Sequence, residues 1–206
     1  MPPGDPESGT YWFEKGSLEV MEGALGDAYD SYHRMMEINP EFVQGWVALA
    51  QVCFTLKKFD EAIEHAQKVL YLYAGDDRDV SLDALDLLRK AHLERGEIDK
   101  SFDYLERLYE VNPANEEALQ VILGLNMRMN ENQKVIHFAD LGLGAIETPG
   151  TRARLYLAKA IALTELQQPG SAIEVLEQAS SDGIKSKNFE AVLARARELL
   201  ANGNHE

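Results

Sequence analysis

Apolar residues recur along most of this chain at intervals of three and four, the spacing that lines one face of an α-helix. The clearest case is Trp46, Leu49, Ala50 and Cys53. After Leu56-Lys57-Lys58 it is followed by Ala62, Ile63, Ala66, Val69 and Leu70. Each stripe covers a single face, so neither helix can bury its apolar side alone. The same plan stands 34 residues earlier, with Trp12 matching Trp46 and Ala28 matching Ala62. Self-similarity at such a period is the mark of stacked helical units, each covering its neighbour's exposed face.

Carried along the chain, the plan divides it into five two-helix units, 9–42, 43–76, 82–115, 116–149 and 153–186. In the first, a helix over about 10–22 is predicted to stop at Gly23. A second, over about 27–38, carries Ala28, Tyr32, Met35 and Met36. Asn39-Pro40 closes it, because the residue before proline is pushed out of the helical region. The third unit places Leu85, Leu88 and Ala91 before a turn at Gly96, then Phe102, Leu105 and Leu108 before Asn112-Pro113. The fourth offers Leu119, Ile122 and Leu123, a turn at Asn130-Glu131-Asn132, then Val135, Phe138 and Ala139, with its closing proline displaced to Pro149. The fifth carries Tyr156, Ala160 and Leu163, then Ala172, Ile173, Leu176 and Ala179. Pro169 opens its second helix, where no N–H is needed. An acidic insert, 77–81, separates units two and three, and three residues separate units four and five. Residues 187–201 form one more amphipathic helix through Phe189, Val192, Leu193 and Ala196, stopped by Asn202-Gly203, with 202–206 as a tail. Residues 1–8 read as a disordered lead-in. The fold class is all-α.

Two helices per 34 residues, closing on Asn-Pro, resemble the tetratricopeptide repeat family. Its motif puts a large residue early in the first helix, here Trp12, Trp46, Leu85, Leu119 and Tyr156. A small residue follows four positions on, matched by Gly16, Ala50 and Ala160 but not by Arg89 or Leu123. Early in the second helix the small residue is Ala28, Ala62, Ser101 or Ala172, with Val135 as a departure. Where the family carries an aromatic late in the first helix, this chain has Glu19, Cys53, His92, Asn126 and Leu163. The resemblance implies a superhelical α-α solenoid of about five helix pairs whose first helices line a concave groove, with 187–201 as a capping helix over the last apolar edge.

Composition sharpens this picture. The 35 acidic residues against 20 Lys plus Arg leave a net charge of −15. That argues against nucleic acid, whose phosphates need neutralising cations, and against an anionic membrane surface. Cys53 is the only cysteine, so no intrachain disulfide can form. With neither a signal-like N-terminus nor an apolar run of about 18 residues, a cytoplasmic location is expected.

Candidate chemistry is sparse. No two of His33, His65, His92, His137 and His205 share one helix face, so no zinc-protease pairing is read. Asp76, Asp77 and Asp79 lack the spacing of a calcium loop and read as helix capping and a solvated loop. Gly142-Leu143-Gly144 follows no strand, so it is no dinucleotide fingerprint. No catalytic residue, cofactor or metal is expected. The resemblance instead implies a partner-binding groove lined by Thr10, Phe13 and Ser17; Gln44, Val47, Gln51 and Phe54; Asp86, Lys90 and Leu93; Gln120, Gly124, Met127 and Arg128; and Arg154, Leu157 and Ile161. The Lys and Asn with which chaperone-tail adaptors of the family clamp a carboxylate are replaced by Phe13, Ser17, Val47 and Gln51. The expected function is a non-enzymatic interaction scaffold or adaptor that holds a protein or peptide segment with apolar anchors and aids complex assembly. A chaperone shielding a hydrophobic client and a regulatory domain of a larger enzyme are the alternatives. Self-association, for example through Tyr71 and Tyr73, is a further option.

Overall fold

The structure is a computed structural model that describes residues 5, 7–72 and 78–203. Most of the expected lead-in, Tyr73, Asp76, Asp77 and His205 lie outside them. Among the described residues the chain is all helix: α1 (Gly9–Met21), α2 (Leu25–Ile38), α3 (Val43–Thr55), α4 (Phe59–Leu72), α5 (Arg78–Glu94), α6 (Ile98–Val111), α7 (Glu116–Arg128), α8 (Asn132–Ala145), α9 (Pro149–Glu165), α10 (Pro169–Ser181) and α11 (Phe189–Gly203). They fall into two compact units, Met1–Val111 with α1 to α6 and Asn112–Glu206 with α7 to α11.

Every odd-numbered helix from α1 to α9 ends in the same way. A residue in the left-handed region follows it: Gly23, Lys57, Gly96, Asn130 or Gln167, with φ between 58° and 78°. The N–H of the next residue then reaches back to a carbonyl five positions earlier, at 2.8–2.9 Å. Ala24 donates to Glu19, Lys58 to Cys53, Glu97 to His92, Glu131 to Asn126 and Gln168 to Leu163. The left-handed residue itself donates to the carbonyl three back, at 2.9–3.2 Å. This is the Schellman arrangement, which satisfies two of the carbonyls a helix end leaves open. The accepting residues are the five that replace the family's late aromatic. Cys53, His92, Asn126 and Leu163 among them are buried.

Of the expected inserts, residues 78–81 and 150–152 are helical. Both α5 and α9 run for 17 residues, against 13 for α1, α3 and α7, so the extra residues form one more turn at the helix start. Pro149 accordingly opens α9 instead of closing the preceding helix, a position where its missing N–H would have had no partner. The chain before it turns out at Ile146, an extended and buried residue.

In the first unit the core forms where small residues let helices approach. Ala28, Ala62 and Ala91 are fully buried among Tyr32, Met35, Leu49, Cys53 and Leu88. Gly16 lies against the Tyr32 ring so closely that an added Cβ would sit 2.7 Å from Cε1. Trp46 packs on this core at its edge and donates its indole N–H to the Pro40 carbonyl at 2.8 Å. Arg89 stands where the family has a small residue, and it turns aside to pair with Asp86 at 2.7 Å. Its carbonyl accepts from the Ser101 hydroxyl at 2.9 Å. In the second unit Ala160, Ala172, Leu176 and Ala179 are fully buried with Tyr156 and Leu163. Phe189 and Ala196 of α11 complete that cluster. Val135, the departure from the small-residue rule, is fully buried as well.

Two substitutions test these packing and turn arguments in urea denaturation. Gly16→Ala pushes on a buried aromatic ring and is expected to lower stability by about 1–3 kcal/mol, despite the better helix propensity of alanine. Gln167→Gly relieves a left-handed glutamine and is expected to raise it by up to about 1 kcal/mol. A Gly16→Ala protein as stable as the parent would refute the close-approach argument.

Candidate partner-binding surface

The odd-numbered helices present outward-facing residues that the packing leaves over. Two hollows collect them, one in each compact unit. In the first unit, α3 contributes Gln44, Val47 and Gln51 and α5 contributes Asp83, Asp86 and Lys90, around a cavity of about 390 Å³ floored by Ala50, Ala66, Val69 and Leu87. Gln44 and Gln51 are exposed, whereas Val47 is half-buried. Asp86 bonds Arg89 at 2.7 Å and Lys90 at 2.6 Å. Burial opposes its ionisation, but the hydrogen bonds and charges of Lys90 and Arg89 together outweigh that, so its carboxyl is held below the usual range. The expected groove cation Lys90 is therefore largely spent on its own helix.

In the second unit, α7 and α9 enclose a more apolar hollow of about 250 Å³ lined by Gln120, Met127, Arg154, Leu157 and Ile161 over Leu119, Leu123 and Ala158. One rim is fixed by a polar chain. Arg154 donates to the Thr151 hydroxyl at 3.0 Å, and Thr151 in turn donates to Glu116. Thr148 donates to the other Glu116 oxygen at 2.7 Å. The hydrogen bond from Thr148 first, then that from Thr151, holds the Glu116 carboxyl below its ordinary range against the effect of desolvation.

Ten of the residues named for the groove thus gather in these hollows: Gln44, Val47, Gln51, Asp86 and Lys90 in one, Gln120, Met127, Arg154, Leu157 and Ile161 in the other. Thr10, Phe13, Ser17, Phe54 and Arg128 line neither. Phe13 stands edge-on to Phe42 at 5.1 Å, and Ser17 bonds the Phe13 carbonyl at 2.8 Å and the Tyr32 hydroxyl at 3.2 Å. Phe54 packs against Phe59 with ring centres 5.7 Å apart. Thr10 and Arg128 are exposed, as are Leu93 and Gly124. Sequence reading missed Glu116 and Thr151, since their roles depend on α7 and α9 meeting.

It also missed a histidine pair. The expectation of no metal constellation rested on spacing along one helix, whereas the fold brings His33 of α2 beside Glu61 and His65 of α4. The one available signal was the repeat itself, which sets second helices of successive units side by side, so that residues about one period apart can meet.

Residues 42–114 match the family model described as tetratricopeptide repeat. The fold is similar to that of the MamA protein, 20% identical, over 84% of this chain and 90% of that one with a TM-score of 0.51. It is likewise similar to YrrB, "a TPR protein with an unusual peptide-binding site", 15% identical over 93% of each chain with a TM-score of 0.50. Among curated proteins, Protein CTR9 homolog of Arabidopsis thaliana is 24% identical over 121 residues, 59% of this chain. The matched stretch spans only 11% of that relative's length.

The Thr148–Glu116–Thr151 contacts carry a pH dependence. A depressed carboxyl pKa contributes stability above the unfolded value of about 4.3, and the contribution is lost as pH falls through the folded value. In Thr151→Val, carboxyl NMR titration is expected to show the Glu116 pKa moving up toward that ordinary value. An unmoved titration would mean the hydroxyl does not hold the carboxylate.

Proposed function

We propose that this chain, which is a tetratricopeptide repeat family protein, binds an extended or helical segment of a partner protein against the outward faces of its odd-numbered helices, without catalysis. Repeat arrays of this family serve in general as protein–protein interaction scaffolds. No described helix is long and apolar enough to cross a membrane. The observation that carries the finer reading is the gathering of ten residues, chosen for lying outside the packing positions, around two hollows.

Each hollow, within its own unit, suits a different kind of contact with such a segment. Leu157, Ile161 and Met127 offer an apolar seat of about 250 Å³, room for one large side chain or two small ones. Gln44 and Gln51 flank Val47 with amides that can both donate to and accept from a peptide backbone. Lys90 is paired with Asp86 on its own helix, which offsets its charge. A net charge of −15 favours a neutral or basic segment. A peptide occupant also agrees with the description of YrrB, whose fold this chain shares.

Selection from a displayed peptide library tests the reading. Enriched peptides are expected to carry a bulky apolar anchor. Leu157→Glu is expected to weaken them by about 30-fold, the size of a hot-spot loss near 2 kcal/mol. Val47→Glu combined with Gln51→Ala should also abolish capture while leaving the circular dichroism unchanged. No enrichment on the parent protein, or equal binding by these variants, would refute the proposal.

A further inference from the structure

Two imidazoles in the first unit lack what burial normally demands. The Nε2 atoms of His33 and His65 are both shielded from water and meet no hydrogen-bond partner among the described residues. Buried polar atoms of this kind are nearly always satisfied, so a pair of them on neighbouring rings calls for an explanation. His65 is only 8% exposed, and the two rings stand 5.8 Å apart, edge to face. One ring nitrogen of each lies with a Glu61 carboxylate oxygen in a cluster no more than 4.8 Å across. Glu61 and His65 are a turn apart on α4 and so share a face, while His33 reaches in from α2.

We propose that His33, Glu61 and His65 form a zinc-binding site joining the second helices of the first two repeats. Two imidazoles and one carboxylate are a borderline nitrogen and oxygen donor set that suits zinc better than calcium or magnesium. Tetrahedral zinc, with bonds of about 2.0–2.2 Å, holds its donors about 3.4 Å apart, within reach of side-chain torsions from the present cluster.

The surroundings favour ligation. Burial, then the neighbouring His33, lowers the His65 pKa from its ordinary value. Tyr29 donates its hydroxyl to Glu61 Oε2 at 2.7 Å, orienting the carboxylate as an outer-shell partner does and holding its pKa down. The Lys58 ammonium, 3.4 Å from both Glu61 oxygens, is the resident counter-charge. Its side chain is 40% exposed, so a metal can displace it into water. Cys53 donates to Glu61 at 3.9 Å but lies outside the cluster of mutually close donor atoms. His65 also borders a solvent cleft between Trp46, Lys68 and Tyr71, through which a water can supply the fourth donor.

Calorimetric titration of the tag-free, chelator-stripped chain with zinc chloride is expected to show one ion per chain. His33→Gln, Glu61→Gln and His65→Gln should each lower the affinity by at least about tenfold, and Tyr29→Phe by about tenfold. His137→Gln should leave it unchanged. Zinc-edge X-ray absorption on the parent protein should count two imidazole ligands, a result independent of whether any variant folds. No binding at micromolar zinc, affinity undiminished in Glu61→Gln, or fewer than two imidazoles would overturn the site.

Discussion

The rest of the fold depends on one hydrogen-bonded turn, found after each odd-numbered helix from α1 to α9 and again after α10. An amphipathic helix covers only half its problem, so its partner must return antiparallel and at the right angle. The Schellman closure after α1, α3, α5, α7 and α9 sets that return. It ties the backbone of Glu19, Cys53, His92, Asn126 and Leu163 into the reversal, which places the following Ala28, Ala62, Ser101, Val135 and Ala172 against the preceding helix. Close approach then follows from size, as with Gly16 under the Tyr32 ring. The side chains at the accepting positions vary freely because the turn uses their carbonyls, which every residue has.

That distinction explains how much was legible in the sequence. Helix pairs, their small-residue contacts and the stops at Gly23 and Gly96 are written in periodicity and in glycine. Lys57 and Gln167 adopt the same left-handed conformation without the residue that advertises it, so only the repeat period marks those turns. Lengthening of α5 and α9 was illegible for another reason. The residues read as inserts fell outside the fixed 34-residue frame, and Pro149 reads equally as the end of one helix or the start of another. Of the surface, residues projecting from helices within one hollow could be named in advance. Phe13 and Ser17 could not be separated from packing, since their neighbours Phe42 and Tyr32 come from the residue that precedes α3 and from α2. His33 and His65 were invisible as a pair because nothing in a single-helix count joins residues on α2 and α4.

Charge is distributed in a way that separates structure from recognition. Lys90, Arg89 and Arg154, the cations nearest the two hollows, are engaged by Asp86 or Thr151. Beside them stand the amides, the aliphatic carbons and the exposed Asp83 carboxylate.

The extra turns of α5 and α9 have a consequence for how such chains vary in length. A helix anchored at its C-terminal end by a fixed reversal keeps the angular phase of every residue counted backward from that anchor. Four residues added at the free start extend the rod by about 6 Å without rotating any face already in contact. The same residues added between anchor and contact would turn the buried stripe by about 40°, since each residue advances about 100°. Insertions in this architecture are therefore directional. They are silent upstream of a pair and disruptive within it, so length differences between related arrays should collect ahead of the odd-numbered helices.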